Sequence, residues 1–104
     1  MNDTIARYTK LLEQFPDNEL ARFSLGKAYF DSDQFAPAKE NFVLALARKP
    51  DWMAVQILIA KCELALGHRE SARSALEHAR QLAIEQKHDG PLEEVEQLLA
   101  DLSS

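Results

Sequence analysis

Apolar residues recur at spacings of three and four along most of the chain, a pattern typical of amphipathic helices. In the first segment these positions are Ile5, Tyr8, Leu11, Leu12 and Phe15. Polar and turn-forming residues separate it from further segments of the same kind. The pattern predicts an all-α fold of about six helices, over residues 5–15, 19–31, 35–49, 52–66, 69–87 and 91–102.

Proline and glycine mark the predicted helix ends. Pro16 and Pro50 each disfavour helix at the preceding residue. Asp17 or Asn18 is expected to cap the second helix, and Asp51 the fourth. Gly67 is suited to the left-handed conformation that often follows a helix end.

The chain overlays itself when it is shifted by 34 residues. Large residues fall on large ones, small on small, and the Pro-Asp turn returns at the same phase. The matching pairs are Tyr8 with Phe42, Leu12 with Leu46, Pro16-Asp17 with Pro50-Asp51, Leu25-Gly26 with Ile59-Ala60, Ala38 with Ala72, Phe42 with Leu76 and Ala45 with Ala79. Such a period indicates stacked helix hairpins, because a single hairpin cannot bury its own apolar face.

In these positions the sequence resembles the tetratricopeptide repeat (TPR) family. One complete repeat, 19–52, carries the pattern in Leu25-Gly26, Tyr29, Ala38, Phe42, Ala45 and Pro50. A second, 53–86, keeps Ile59-Ala60, Gly67, Ala72, Leu76 and Ala79 but has Glu63 in place of the aromatic residue and Ile84 in place of the proline. Without that proline, the fifth helix is expected to run longer than the third.

The resemblance implies a short right-handed α-solenoid of antiparallel hairpins in one domain, residues 1–104. Residues 1–18 would form a half repeat that caps the stack, and residues 87–104 a C-terminal capping helix opened by Pro91. Two helices approach to about 8–10 Å only where small side chains lie at their crossing. Gly26, Ala38 and Ala45 are expected to supply that crossing in the first repeat.

The resemblance also places a groove for a peptide or partner-protein segment on the first helix of each hairpin. The expected lining residues are Leu20, Phe23, Lys27, Phe30, Ala54, Ile57, Lys61 and Leu64. The four residues of each helix share one face, so the groove would suit an apolar segment with a carboxylate near the lysines. Alternatively, these residues are core covered by the sixth helix, with Lys27 and Lys61 paired to Glu93, Glu94 or Glu96.

One TPR subgroup grips the C-terminal carboxylate of chaperones through Lys, Asn and Arg side chains. The matching places here hold Phe23, Lys27 and Leu58, so that ligand is not expected. Trp52 is interpreted as a staple between repeats rather than a ligand contact. Cys62 aligns with Ala28, which indicates a small buried residue rather than a nucleophile.

Charge and composition narrow the function further. Residues 1–86 carry 12 acidic and 11 basic side chains, whereas residues 87–104 carry five acidic and one basic. No basic stripe suited to nucleic acid is present, and the most apolar stretch is too short and too polar to span a bilayer. A single cysteine and a start without a signal-peptide pattern favour the cytoplasm.

No catalytic motif, cofactor fingerprint or repeated metal-ligand spacing is present. The three histidines lie ten residues apart, and ten helical steps do not return to one face. The sequence therefore predicts no enzyme, no cofactor and no metal. The expected function is a protein–protein interaction module acting as an adaptor, scaffold or assembly factor. The alternative is a self-associating homodimer, because residues 52–66 are apolar nearly all round.

Overall fold

A computed structural model describes residues 3–103, so the ends of the predicted first and last segments, residues 1–2 and 104, lie outside the described residues. The described chain is all-α. Its helices are α1 (Asp3–Gln14), α2 (Glu19–Asp31), α3 (Phe35–Arg48), α4 (Met53–Ala65), α5 (Arg69–Gln86) and α6 (Asp89–Ser103). The all-α prediction is confirmed, and each predicted helix is present with ends that differ by a few residues.

Each helix packs chiefly against the helices next to it in sequence, from α1 on α2 through to α5 on α6. The helices therefore stack along one direction, and the molecule is elongated, with extents of 41 × 27 × 20 Å. This one-dimensional packing defines an α-solenoid. It follows from the repeat, since each hairpin covers the apolar face of its neighbour.

The small residues predicted at the helix crossings are buried there. A Cβ at Gly26 would lie 2.7 Å from the Phe42 ring, which is closer than real carbon contacts allow. Ala38 and Ala45 on α3 are fully buried, as are their counterparts Ala72 and Ala79 on α5. Small side chains thus let the helices of both hairpins approach closely, while large ones such as Phe42 fill the space beside them.

The main core runs along α4, which packs between α3 and α5. Val55, Ala60 and Cys62 have no exposed surface, and Ile59 is buried with them. The apolar circumference of α4 is therefore explained by packing within the chain. A smaller cluster of Leu12, Ala21 and Leu25 attaches α1 to α2.

Two predicted helix ends are confirmed and two are wrong. The Asn18 side chain accepts a hydrogen bond of 3.0 Å from the Ala21 N–H and caps α2, and Gly67 is left-handed at φ +80°. As predicted, α5 is longer than α3, with 18 residues against 14. Asp51 does not cap α4, because Trp52 occupies the N-cap position without a side-chain bond.

The boundary between α5 and α6 is the second correction. Helix α5 ends close to the predicted residue, with Lys87 in the left-handed conformation at φ 58°. Helix α6 then begins at Asp89 and not at Pro91. Pro91 is tolerated because it lies in the first turn, where a backbone N–H has no partner within the helix. Among residues 3–103, no helix combines the length and apolar character that a bilayer crossing needs.

Candidate peptide-binding groove

The residues predicted to line the groove on α2 differ in exposure. Leu20, at the start of the helix, is 67% exposed. Phe23 and Phe30 are half-buried and lean inward, with ring centroids 6.0 and 6.4 Å from that of Phe42. Lys27 lies between them, half-buried. This stripe therefore presents Leu20 and Lys27 to solvent and uses its two aromatic rings largely for packing.

Trp52 joins the two hairpins. Its ring stacks on Phe23 at a centroid distance of 5.0 Å and an interplanar angle of 28°. The Lys49 ammonium lies 5.3 Å from the centroid of the same indole. These contacts hold the start of α4 against α2, in agreement with the interpretation of Trp52 as a staple.

The corresponding residues on α4 are partly covered by α6. Ile57 is only 6% exposed, whereas Ala54 is exposed. Leu64 is half-buried and lines a shared depression with Leu98 and Leu102 of α6. The second stripe is thus more enclosed than the first, and Ala54 is its most open member beside the α6 wall.

Both groove lysines are already paired with carboxylates. Lys61 Nζ lies 2.7 Å from Glu94 Oε2 on α6, which is one of the pairings expected from the sequence. Lys27 pairs instead with Asp31, at 3.4 Å within α2, and Glu96 pairs with Arg80 at 3.2 Å. Each lysine charge is balanced locally, so the groove does not present the uncompensated positive charge that would attract a carboxylate.

An open pocket of about 220 Å³ lies between α4 and α6. Its lining is mainly apolar, with the Lys61–Glu94 pair as its charged part. The lining residues are Met53, Ala54, Ile57, Leu58, Lys61, Pro91 and Glu94. Pockets with apolar walls and few polar groups are the usual form of a recognition site. The sequence predicts Ala54, Ile57 and Lys61 in the groove and Glu94 only as a possible partner of Lys61, and it does not predict Pro91 there.

The buried carboxylate of Glu63 on α4 belongs to a network that the sequence does not predict. Glu63 Oε1 lies 3.2 Å from Lys39 Nζ on α3 and 2.9 Å from His68 Nδ1 at the start of α5. Burial acts to raise the pKa of Glu63, but hydrogen bonds from His68 and Lys39 outweigh it and lower the pKa below its ordinary value. The network ties the first hairpin to the second. Its only sequence signal was the departure from an aromatic residue at this position.

Cys62 lies next to Glu63 and is fully buried. Burial, with the neighbouring Glu63 charge, raises the pKa of its thiol to about 11, which describes an inert packing cysteine. All three histidines are exposed, and His68 contacts Glu63. Within residues 3–103 no three His, Cys, Asp or Glu side chains are grouped to hold a metal ion.

Comparison with known proteins agrees with the geometry. No family model matches the sequence. A Pseudomonas aeruginosa protein named as TPR repeat-containing is 35% identical over 68 residues, which are 65% of this chain and 65% of that protein. The matching region thus spans just under two thirds of the relative's length.

Two solved structures share the fold. A Bordetella parapertussis protein is 29% identical, with a TM-score of 0.86 over 99% of this chain and 90% of the other. PcrH of Pseudomonas aeruginosa, solved in complex with the chaperone-binding region of PopD, is 19% identical, with a TM-score of 0.89 over 97% of this chain and 77% of the other. The class is therefore that of helical-repeat solenoids. Within that class, the sequence is similar to that of a protein named as TPR repeat-containing.

Proposed function

We propose that this chain binds a peptide or a segment of a partner protein in the groove along α2 and α4, and that it acts as an adaptor, scaffold or assembly factor in the cytoplasm. The groove would be built on the repeats proposed at 19–52 and 53–86, capped by residues 1–18 and 87–104. The observation that carries the proposal is the open apolar pocket between α4 and α6, together with Leu20, which is 67% exposed on α2.

A similar structure supports the binding of a protein segment by this fold. PcrH has the same fold and was solved with the chaperone-binding region of PopD, so a solenoid with this fold can hold a segment of another protein. The locally balanced charges of Lys27 and Lys61 favour a bound segment recognised mainly through apolar contacts. Because both lysines are paired, recognition of a carboxylate on the bound segment is not part of the proposal.

Affinity capture from native lysate with exposed-site variants tests the proposal. Leu20→Glu and Ala54→Glu place a charge on each half of the groove without disturbing the core, since both residues are exposed. Ile84→Glu is the matched control, because Ile84 is an apolar residue that is 44% exposed on α5, outside the groove. We expect one partner to be retained by wild type and the control and lost by both groove variants. Retention of every partner by both groove variants would contradict the proposal.

Self-association remains the second candidate function. It has little apolar surface to use on α4, because most of that helix is covered within the chain. It would use α3, where Val43 and Leu44 are 47% and 50% exposed on consecutive positions. Light scattering across a concentration series, with Leu44→Glu for comparison, separates the two candidates. A dimer that dissociates in the variant would favour self-association.

A further inference from the structure

The space between α2 and α4 is filled differently from the space between α4 and α6. Between α2 and α4, the stacked rings of Phe23 and Trp52 occupy the junction. One repeat later, Ile57 and Gln86 stand at the corresponding sequence positions. Gln86 is exposed and donates a hydrogen bond of 2.9 Å to the Asp51 carbonyl. The aromatic stack of the first junction is therefore not repeated at the second.

The two groove lysines, Lys27 and Lys61, also differ in whether their own helix places an aromatic ring beside them. Lys27 lies 5.5 Å from the centroid of the Phe30 ring. Lys61 corresponds to Lys27 in the second repeat, but Leu64 replaces Phe30 and α4 contains no aromatic residue. Lys61 thus lacks, within its own helix, the ring that its counterpart has. A cation beside an aromatic face is attracted by the electrons of the ring.

The pocket of about 220 Å³ opens at this second junction, beside Ile57 and Lys61. Ala54 leaves it accessible from solvent. The ion pair in its wall is neutral as a whole, so a charged side chain of either sign would gain little there. The space is suited to a large uncharged group.

We propose that this pocket takes one aromatic side chain of the bound segment, which lies beside Ile57, the residue that stands where the first repeat has the Phe23 ring. The inference rests on the proposed groove function and specifies the chemistry of its main anchor. The aromatic ring packs against Ile57, Leu58 and Pro91, with the Lys61 ammonium beside it. Aromatic anchors seated in pockets commonly carry most of the binding energy of an interface.

A displayed library of short random peptides, selected against the full chain, tests the inference. The selected peptides should share one Phe, Tyr or Trp, and replacing that residue by Ala should weaken binding by about tenfold or more. The variant Ala54→Phe fills the pocket from its exposed rim and should weaken binding by a similar factor. Ala36→Phe, at an exposed alanine of α3, should bind as wild type does. Thermal unfolding establishes that both variants remain folded.

The outcomes separate the inference from the proposed function. Peptides that bind without an aromatic residue, and that lose affinity in Leu20→Glu, would overturn the aromatic anchor and leave the groove in place. Aromatic peptides that bind Ala54→Phe as tightly as wild type would do the same. A library that yields no peptide sensitive to Leu20→Glu or Ala54→Glu would overturn both.

Discussion

A side-chain carbon at position 26 would lie 2.7 Å from the ring of Phe42. This contact between α2 and α3 sets how closely the helices of the first hairpin approach. Phe42 is fully buried, so the ring has no open space into which it can move. The glycine is required by distance rather than by backbone conformation.

Gly26→Ala should therefore destabilise the protein. Overpacking a filled core costs about 1–3 kcal/mol, which exceeds the gain of roughly 0.5–1 kcal/mol from replacing a mid-helix glycine. Urea unfolding measures the net loss. Gly90→Ala is the control, because a Cβ there meets nothing within 4 Å. Equal stabilities for the two variants would contradict the close contact.

Ala45→Leu tests the same crossing from α3. Ala45 has no exposed surface, so three added carbons must displace neighbouring side chains at a cost of about 1–3 kcal/mol or more. The melting temperature should fall. Ala47→Leu, at an exposed position of the same helix, should melt near wild type. An unchanged midpoint for Ala45→Leu would count against the helix crossing described here.

The Glu63 network predicts an acid-dependent loss of stability. The pKa of Glu63 is lower in the folded chain than its ordinary value. The ionised carboxylate therefore stabilises the fold above the ordinary pKa of glutamate, and this contribution disappears as the pH falls through the lowered pKa.

Urea unfolding of wild type and Glu63→Gln over a descending pH series measures this contribution. At neutral pH the variant should be less stable by about 1–3 kcal/mol, since it leaves Lys39 with a weaker partner. The difference in unfolding free energy between wild type and Glu63→Gln should become smaller as the pH falls. Glu70→Gln, on the exposed face of α5, serves as the control. A gap that stays constant with pH would exclude the network as its source.

Attachment of α6 can be tested at Val95. This residue is fully buried, and Val95→Asp would place an unpaired carboxylate in the core at a cost of several kcal/mol. Detachment of α6 should expose the residues that it covers, among them Leu64 and Ile57, and should increase the fluorescence of an apolar dye. Glu93→Gln, exposed on α6, should leave dye binding unchanged. The same result for both variants would mean that α6 does not cover this surface.

Cys62 should behave as an unreactive thiol. Full burial and a pKa of about 11 leave little accessible thiolate near neutral pH. Reaction with an aromatic disulfide reagent should therefore follow the rate of unfolding and become rapid only in denaturant. Rapid labelling of the native protein would contradict the buried placement.

Periodicity determined most of the fold from the sequence alone. Spacings of three and four located the helices, and the 34-residue period paired small residues with small ones at the crossings. These properties are readable because helix geometry and hairpin packing repeat from residue to residue. The helix ends were less certain: Asn18 caps α2 as one of two expected residues, whereas Asp51 does not cap α4.

The ion pairs and the pocket of the groove are decided by contacts between residues that are distant in sequence. That Lys61 pairs with Glu94 while Lys27 stays within its own helix, and that Glu63 joins Lys39 to His68, follows from how α6 and α3 lie against α4. The pocket beside Ile57 has the same origin. Local pattern encodes which face of a helix is apolar, but charge pairing and open space arise only when separate helices meet, because Coulomb energy and packing depend on distance in space.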